Sequence, residues 1–75
     1  MKNTLDLGGV ILPFTMLKFS NRFGKLVAGE ILEIIGTNPD TGKEILEISA
    51  TLPCEVLYVH KREDRYLIRV RKLGA

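Results

Sequence analysis

Polar and apolar residues alternate near the start of the chain and then follow a helical period. Residues 4–7 alternate between the two classes, which predicts a short strand. From Pro13 onward, apolar residues recur every three or four positions, which predicts a helix with one apolar face. That face consists of Met16, Phe19, Phe23 and Leu26. Pro13 fits the first helical turn, and Ala28 and Gly29 are expected to end the helix.

The middle of the chain predicts a second strand followed by a second helix. Residues 31–35 are a β-branched run typical of a mostly buried strand. After a turn, Asp40 or Thr41 is predicted to cap the second helix, and Glu44 would complete a capping box with Thr41. The predicted inward face consists of Ile45, Ile48, Ser49 and Leu52. Pro53 is expected to end this helix.

Two more strands are predicted in the last third, at residues 56–60 and 66–70, joined by the charged hairpin 61–65. The element order is therefore βαβαββ. So short a chain favours one packing, an α+β two-layer sandwich in which both helices cover one face of a four-stranded mixed sheet. The other sheet face stays open. We expect Glu33 to lie there with Arg69 and Arg71, which makes this face a candidate surface for a dimer or a partner.

Charge is separated along the chain. Residues 30–55 contain six acidic side chains and a single basic one, Lys43. Residues 61–72 contain six basic ones, which are Lys61, Arg62, Arg65, Arg69, Arg71 and Lys72. One interpretation is a solvated edge with cross-strand ion pairs. The other is a docking surface for an acidic partner or for RNA.

Composition narrows the class of protein. Apolar residues at 45% and charged residues at 27% are ordinary for a globular protein, and residues 1–75 are predicted to form one domain. A net charge of +2 is too small to indicate nucleic-acid binding by itself. No apolar run is long enough for a signal peptide or a membrane span, so a cytoplasmic protein without membrane contact is expected. The single cysteine, Cys54, excludes an intramolecular disulfide and a cysteine-based zinc cluster, and we expect no metal or cofactor.

Three other features of the sequence resemble parts of known chemical sites. Residues 36–43 are similar to a phosphate-binding loop, but five residues separate the glycines instead of four and Glu44 replaces the magnesium-binding hydroxyl. His60 lacks neighbouring catalytic or ligand residues and is interpreted as a hairpin residue. Cys54 is either a structural, buried thiol or a reactive one.

The start of the first helix is the best candidate site. Free N–H groups and the helix dipole favour an anion or a thiolate at such a place. Leu12 provides neither, so its side chain either covers the helix end as an apolar plug or belongs to a binding surface. The start of the second helix offers Asn38 and Asp40 as further candidate binding residues.

Five separated landmarks are similar to those of one known family. Residues 5–6 match a leucine–aspartate strand, and residues 12–15, Leu-Pro-Phe-Thr, fall on a Cys-Pro-x-Pro motif at a helix start. Residues 28–30 correspond to a Pro-Gly-Glu turn, and residues 32–39 to the next strand with its Asp-Asp-Pro turn. Residues 66–69 resemble the last strand. On these landmarks the chain resembles the TusA (SirA-like) sulfur-carrier family over nearly its whole length.

The resemblance implies a fold like the C-terminal domain of bacterial translation initiation factor three. In that family the motif cysteine accepts a persulfide sulfur from a cysteine desulfurase and passes it on. On this alignment Leu12 replaces the cysteine, Thr15 replaces the second proline, and Pro13 is retained. A leucine cannot carry a persulfide, so the resemblance implies that no sulfur relay runs through this position.

Three hypotheses about function follow. The first is a TusA-like, non-catalytic binding or regulatory module that contacts a sulfur-relay protein or a small anion. Its predicted binding residues are Leu12, Pro13, Phe14, Thr15, Lys18, Arg22, Asn38 and Asp40, with Lys25 beside them. The second is a sulfur carrier that acts through Cys54, which is expected at the opposite end of the sheet. The third is an RNA-associated module. The chain is expected to be a monomer or a weak dimer that uses the open sheet face.

Overall fold

Six elements make up the fold. The computed structural model describes residues 3–74, so the predicted domain bounds at residues 1 and 75 lie outside the described residues. The elements in chain order are β1 (Asn3–Asp6), α1 (Phe14–Gly24), β2 (Ile31–Gly36), α2 (Pro39–Ser49), β3 (Cys54–Lys61) and β4 (Tyr66–Lys72). The predicted βαβαββ order is confirmed.

The sheet is mixed, and its strand order is β1-β2-β4-β3. β1 and β2 are parallel, while β4 is antiparallel to both β2 and β3. Because β1 and β2 end at the same edge of the sheet, the loops that lead into α1 and α2 lie there together. The hairpin between β3 and β4 reaches the same edge, since Tyr66 pairs with Gly36 at the end of β2. We call this the C-terminal edge.

Both helices pack on one sheet face, as predicted. α1 contributes Phe19 and Phe23, whose ring centroids are 5.9 Å apart, and α2 contributes Ile45. The sheet side of the core consists of Leu5, Leu32, Ile34, Tyr66, Ile68 and Val70, with Leu7 just beyond β1 and Leu26 just beyond α1. Side chains alternate between the two faces of the sheet along β2 and β4. Every second residue is therefore buried under the helices, and the residues that alternate with these buried ones face the open side.

α1 is shorter than its apolar period predicts. Pro13 has φ −89° and ψ 3°, which places it at the N-cap position and not in the first turn. The helix ends at Gly24, before the predicted stop at residues 28–29. Leu26 is nevertheless buried, because the turn continues past Gly24: the Lys25 and Leu26 N–H groups donate to the Arg22 and Phe23 carbonyls. An apolar period thus continues past the point where the hydrogen-bonded helix stops.

The predicted cap of α2 was wrong. The helix begins at Pro39, and Asn38 is its N-cap, with a side-chain oxygen that accepts a hydrogen bond from the Asp40 N–H at 2.9 Å. Proline at the first helical position and asparagine before it are both favoured there, so this pair outcompetes the later hydroxyl. The Thr41 hydroxyl points inward, where it donates to the Asn38 carbonyl at 2.7 Å and lies 2.9 Å from the Tyr66 hydroxyl. The helix ends at Ser49, four residues before Pro53.

The last two strands are longer than predicted, and the open face carries the predicted ion pair. The Arg69 guanidinium donates to Glu33 Oε2 from Nη2 at 2.8 Å and from Nε at 3.1 Å, joining β4 to β2. Arg71 pairs with Glu55 of β3 and not with Glu33. Between Val56 and Tyr58 the β3–β4 register shifts by one residue.

Candidate functional site

The C-terminal edge of the parallel strands brings both helix starts together. The Leu7 N–H donates to the Ile35 carbonyl at 2.6 Å, which continues the pairing of β1 with β2 into the loop. The Asp6 carboxylate then accepts the Gly8 N–H at 2.8 Å, and Gly9 takes φ 77°, a value that suits glycine. This turn sends the chain across the edge and towards α1.

Four large apolar side chains are exposed around the start of α1. Their exposed fractions are 63% for Ile11, 40% for Leu12, 56% for Phe14 and 59% for Leu17. We call these four residues the helix-start patch. Phe14 and Leu17 are three residues apart on α1, so they share the outer side of its first turn, and Lys18 borders them. Leu12 is 40% exposed, so part of its side chain contributes to the accessible surface around the helix start.

Two of the candidate binding residues lie elsewhere. Thr15 is fully buried, and its Oγ1 is a buried side-chain atom without a hydrogen-bond partner among residues 3–74. Arg22 is half-buried and donates through Nη2 to the Thr4 carbonyl at 3.1 Å, which ties α1 to β1. The helix-start patch therefore includes Leu12 and Phe14 from the predicted set, with exposed Pro13 and Lys18 beside them.

The start of α2 lies beside the loop that precedes the patch. A Cβ on Gly8 would lie 3.8 Å from the Thr37 methyl group, so the two loops are in contact. The Asp40 N–H already donates a hydrogen bond to the Asn38 side chain, and the exposed Asp40 carboxylate lies in the first turn of α2. A negative side chain there satisfies the positive end of the helix dipole, so a bound anion is disfavoured at this helix start.

Cys54 lies at the other end of the sheet. It pairs with Lys72 at the beginning of β3, and β3 runs in the same direction as β1, so the thiol lies opposite the C-terminal edge, as expected. A strand of about five residues at roughly 3.3 Å each separates the two edges by about 15 Å. Sγ donates to the Ser49 carbonyl at 3.3 Å, and burial raises the pKa of the Cys54 thiol above its ordinary value. A raised pKa leaves less thiolate at neutral pH.

The basic residues at 61–72 do not form one surface. Arg69 and Arg71 are paired with carboxylates on the open face. Lys72 lies on the helix side, where Nζ donates to the Phe23 carbonyl at 3.2 Å and stands 5.1 Å from the centre of the Phe23 ring. The remaining three, Lys61, Arg62 and Arg65, surround the hairpin.

The hairpin borders a shallow groove of about 320 Å³ on the open face. Its apolar lining comes from Ile35 and Leu67, and Arg62 and Arg65 contribute basic groups. His60 accepts a hydrogen bond from Arg62 Nε at 3.0 Å through Nε2, in agreement with its interpretation as a hairpin residue. This hydrogen bond joins the end of β3 to the hairpin turn, so the imidazole stabilises the hairpin.

Ile11 and Leu17 belong to the helix-start patch but were not among the candidates from sequence. A signal for Leu17 was present, since it falls outside the stripe formed by Phe19 and Phe23 and is therefore an apolar residue on the polar side of its helix. Ile11 precedes the helix, where no period applies, so only the structure shows that it is exposed.

The described residues contain no group of three or more side chains that could hold a metal ion. None of the helices in that part of the chain is long and apolar enough to cross a membrane.

Comparisons with known proteins agree on one family. The family model described as "Sulfurtransferase TusA" matches residues 3–72. The chain is also 30% identical over 69 residues to the "Sulfur carrier protein TusA" of Pseudomonas entomophila (strain L48), an alignment that covers 92% of this chain and 86% of that protein. The match to the family model extends from β1 to β4 and includes the helix-start patch.

Proposed function

Because this chain belongs to the TusA sulfurtransferase family, we propose that it is a non-catalytic binding or regulatory module linked to sulfur transfer. In this proposal Leu12 occupies the position of the persulfide-carrying cysteine, followed by Pro13 of the family's Cys-Pro-x-Pro motif. A hydrocarbon side chain has no atom that can attack a persulfide or retain its outer sulfur, so transfer through this position is excluded chemically.

The observation that carries the proposal is the exposure of the helix-start patch. Four apolar side chains, each at least 40% exposed, surround the one helix start at which the family resemblance places its motif. Burial of apolar surface contributes about 25 cal/mol per Å², so a partner that covers this patch gains affinity from it. Lys18 at its border favours an acidic rim on that partner. We therefore propose a sulfur-relay protein, such as a cysteine desulfurase, as the partner.

The alternative of sulfur transfer through Cys54 has less support. The thiol is partly buried, its pKa is raised by burial, and it lies across the sheet from the helix-start patch. A protein docked on the patch could not present a persulfide to Cys54 from the same position. The Cys54 route therefore requires a second docking mode on a different surface.

Direct binding to the cysteine desulfurase of the same organism tests the docking surface. We expect Leu17→Lys to weaken binding at least about tenfold, because a charge placed in the buried centre of an interface costs more than 1.4 kcal/mol. Val27→Lys is the matched control, since Val27 is 66% exposed but lies beyond the end of α1, away from the patch. Equal loss of binding in both variants, or no binding by the unmodified protein, would contradict this docking surface.

Persulfide formation tests the loss of transfer. After incubation with a cysteine desulfurase and cysteine, we expect the intact mass of the unmodified protein to stay constant. We expect Leu12→Cys to gain one sulfur atom, because a thiol at this helix start lies at the positive end of the helix dipole, which favours the thiolate. A gain of sulfur by the unmodified protein that disappears in Cys54→Ser would instead establish the Cys54 route.

A further inference from the structure

β3 forms an edge of the sheet that the rest of the described chain leaves uncovered. It pairs with β4 on one side, and no other strand within residues 3–74 pairs with it. The opposite edge differs, since β1 is four residues long and carries polar Asn3, Thr4 and Asp6. Short, polar edge strands resist pairing with other chains, whereas long apolar ones favour it. β3 is eight residues long and belongs to the second class.

The centre of β3 is apolar, and its side chains are exposed on both faces of the sheet. The exposed fractions are 41% for Val56, 38% for Leu57, 43% for Tyr58 and 41% for Val59. Leu57 lies at the register shift, so it has no partner residue on β4. Natural edge strands are commonly protected by a central lysine or proline, and neither occurs among these four residues.

The charges at the ends of β3 select its partner and its direction. Glu55 stands near the beginning of the strand, where one of its carboxylate oxygens accepts a hydrogen bond from Arg71 of β4, and Lys61 stands at its end. Both side chains are exposed. If a second copy of β3 pairs in the antiparallel direction, each Glu55 comes beside the basic end of the other copy. Parallel pairing would place like charges together. The strand is therefore complementary to itself in the antiparallel direction, as a two-fold contact between identical subunits requires.

We propose that two copies of this chain associate through antiparallel pairing of their β3 strands, joining two four-stranded sheets into one continuous sheet. The main-chain groups along the outer edge of β3 supply the hydrogen bonds, and the central apolar residues pack across the joint. β3 and β1 are opposite edges of the sheet, and the helix-start patch follows β1. The dimer leaves that patch accessible, so this proposal stands independently of the proposed function.

Sedimentation equilibrium from about 1 µM to about 1 mM protein tests the association. We expect a concentration-dependent dimer, and Leu57→Lys should raise its dissociation constant at least about tenfold, because a lysine in the centre of an edge strand opposes pairing. Val27→Lys adds the same charge at an exposed apolar residue outside the strand and should leave the dissociation constant unchanged. Circular dichroism checks that each variant is folded.

A charge exchange tests the direction of pairing and remains informative if Leu57→Lys does not fold. Glu55→Lys and Lys61→Glu each place like charges at both ends of the antiparallel joint, so each variant alone should dimerise several-fold more weakly at low salt. Mixed together, the two variants place opposite charges at both ends and should form the heterodimer in preference to either homodimer.

Three results would overturn the proposal. The first is a protein that stays monomeric up to about 1 mM. The second is a dimer unaffected by Leu57→Lys, which would place the contact elsewhere on the molecule, including the open sheet face. The third is a mixture of the charge variants that associates no better than the variants alone, which would exclude antiparallel pairing of β3 and point to a different chain as the partner of this edge.

Discussion

Cys54 lies where the first residue of β3 meets the end of α2, and this position determines its reactivity. The thiol donates to the Ser49 carbonyl and packs against the core. Burial disfavours the charged thiolate more than the neutral thiol, which is why the pKa is raised. From the sequence, a buried, structural thiol was the more common case but a reactive one stayed open, because nothing local shows that α2 ends beside Pro53.

Alkylation of Cys54 as a function of pH checks this assignment. Only the thiolate reacts with iodoacetamide, so a raised pKa moves the midpoint of the rate profile to higher pH than that of an unstructured cysteine peptide. The midpoint is informative even if access to the thiol is slow, because slow access lowers all rates equally. In denaturant the midpoint should return to that of the peptide. A midpoint in the folded protein equal to or below the peptide value would contradict a buried thiol.

Single residues at the helix start show how far the candidate site could be predicted from sequence. Phe14 and Lys18, which were predicted as binding residues, are both exposed on α1, and their part in binding stays a prediction. Thr15 was predicted as a binding residue, although it precedes Phe19 by four positions and therefore lies on the same inner face. The helical period already contained that information. The hydroxyl of Thr15 pointed the other way, because a hydroxyl usually indicates a surface residue. Here the hydroxyl is buried and has no hydrogen-bond partner among the described residues.

At the scale of elements, order and faces followed from apolar periodicity, whereas element ends did not. Strand and helix periods differ clearly, so βαβαββ could be predicted. The start of α2 depended on competition between two caps a few residues apart, and the pair Asn38 and Pro39 prevailed over Thr41. The end of α1 depended on where the chain turns to reach β2, which is a property of the packed structure and not of the local sequence.

Two glycines in different elements should respond oppositely to alanine. A Cβ on Gly36 of β2 would overlap the ring of Tyr66, whose hydroxyl is held by Thr41 at 2.9 Å. We expect Gly36→Ala to lower the free energy of unfolding by about 1–3 kcal/mol, because the ring cannot move without losing that bond. Gly24, at the end of α1, has no other atom within 4 Å of its would-be Cβ. Gly24→Ala should raise the free energy of unfolding by about 0.5–1 kcal/mol.

Urea unfolding of both variants measures these free energies under the same conditions. The control is Gly36→Ala combined with Tyr66→Leu, which removes the overlapping ring and should make the alanine less costly than in the presence of Tyr66. If Gly36→Ala is as stable as the unmodified protein, the close packing of Tyr66 on β2 is wrong.

At the scale of the whole molecule, the sheet separates its surfaces. The helix-start patch lies at the C-terminal edge, Cys54 at the opposite end, and the apolar edge of β3 lies across the sheet from β1. The basic residues are divided as well, between the hairpin, the open face and the helix side. Sequence alone could not show this division, because it depends on which neighbouring strand supplies a carboxylate to each arginine.

This division of charge predicts weak, non-specific RNA binding at most. Of the six basic residues at 61–72, only Lys61, Arg62 and Arg65 are neither paired across strands nor turned to the helix side, and Asp64 lies 3.6 Å from Arg65. Three phosphate contacts give a slope of log K against log salt of about −2 for single-stranded RNA. We therefore expect no binding of a single-stranded RNA at micromolar protein and about 150 mM salt.

Fluorescence anisotropy over a range of salt concentrations measures both the affinity and the slope. Arg62→Ala should weaken whatever binding remains at low salt, and Arg69→Ala should not, because Arg69 is held by Glu33 on β2. Both substitutions remove one positive charge. If both weakened RNA binding equally, the loss would therefore reflect only the net charge of the protein. Specific binding at 150 mM salt with a slope of about −4 or steeper requires more phosphate contacts than the hairpin provides. Such a result would mean that the ion pairs of Arg69 and Arg71 open to receive RNA, and it would support the basic residues at 61–72 as a nucleic-acid surface.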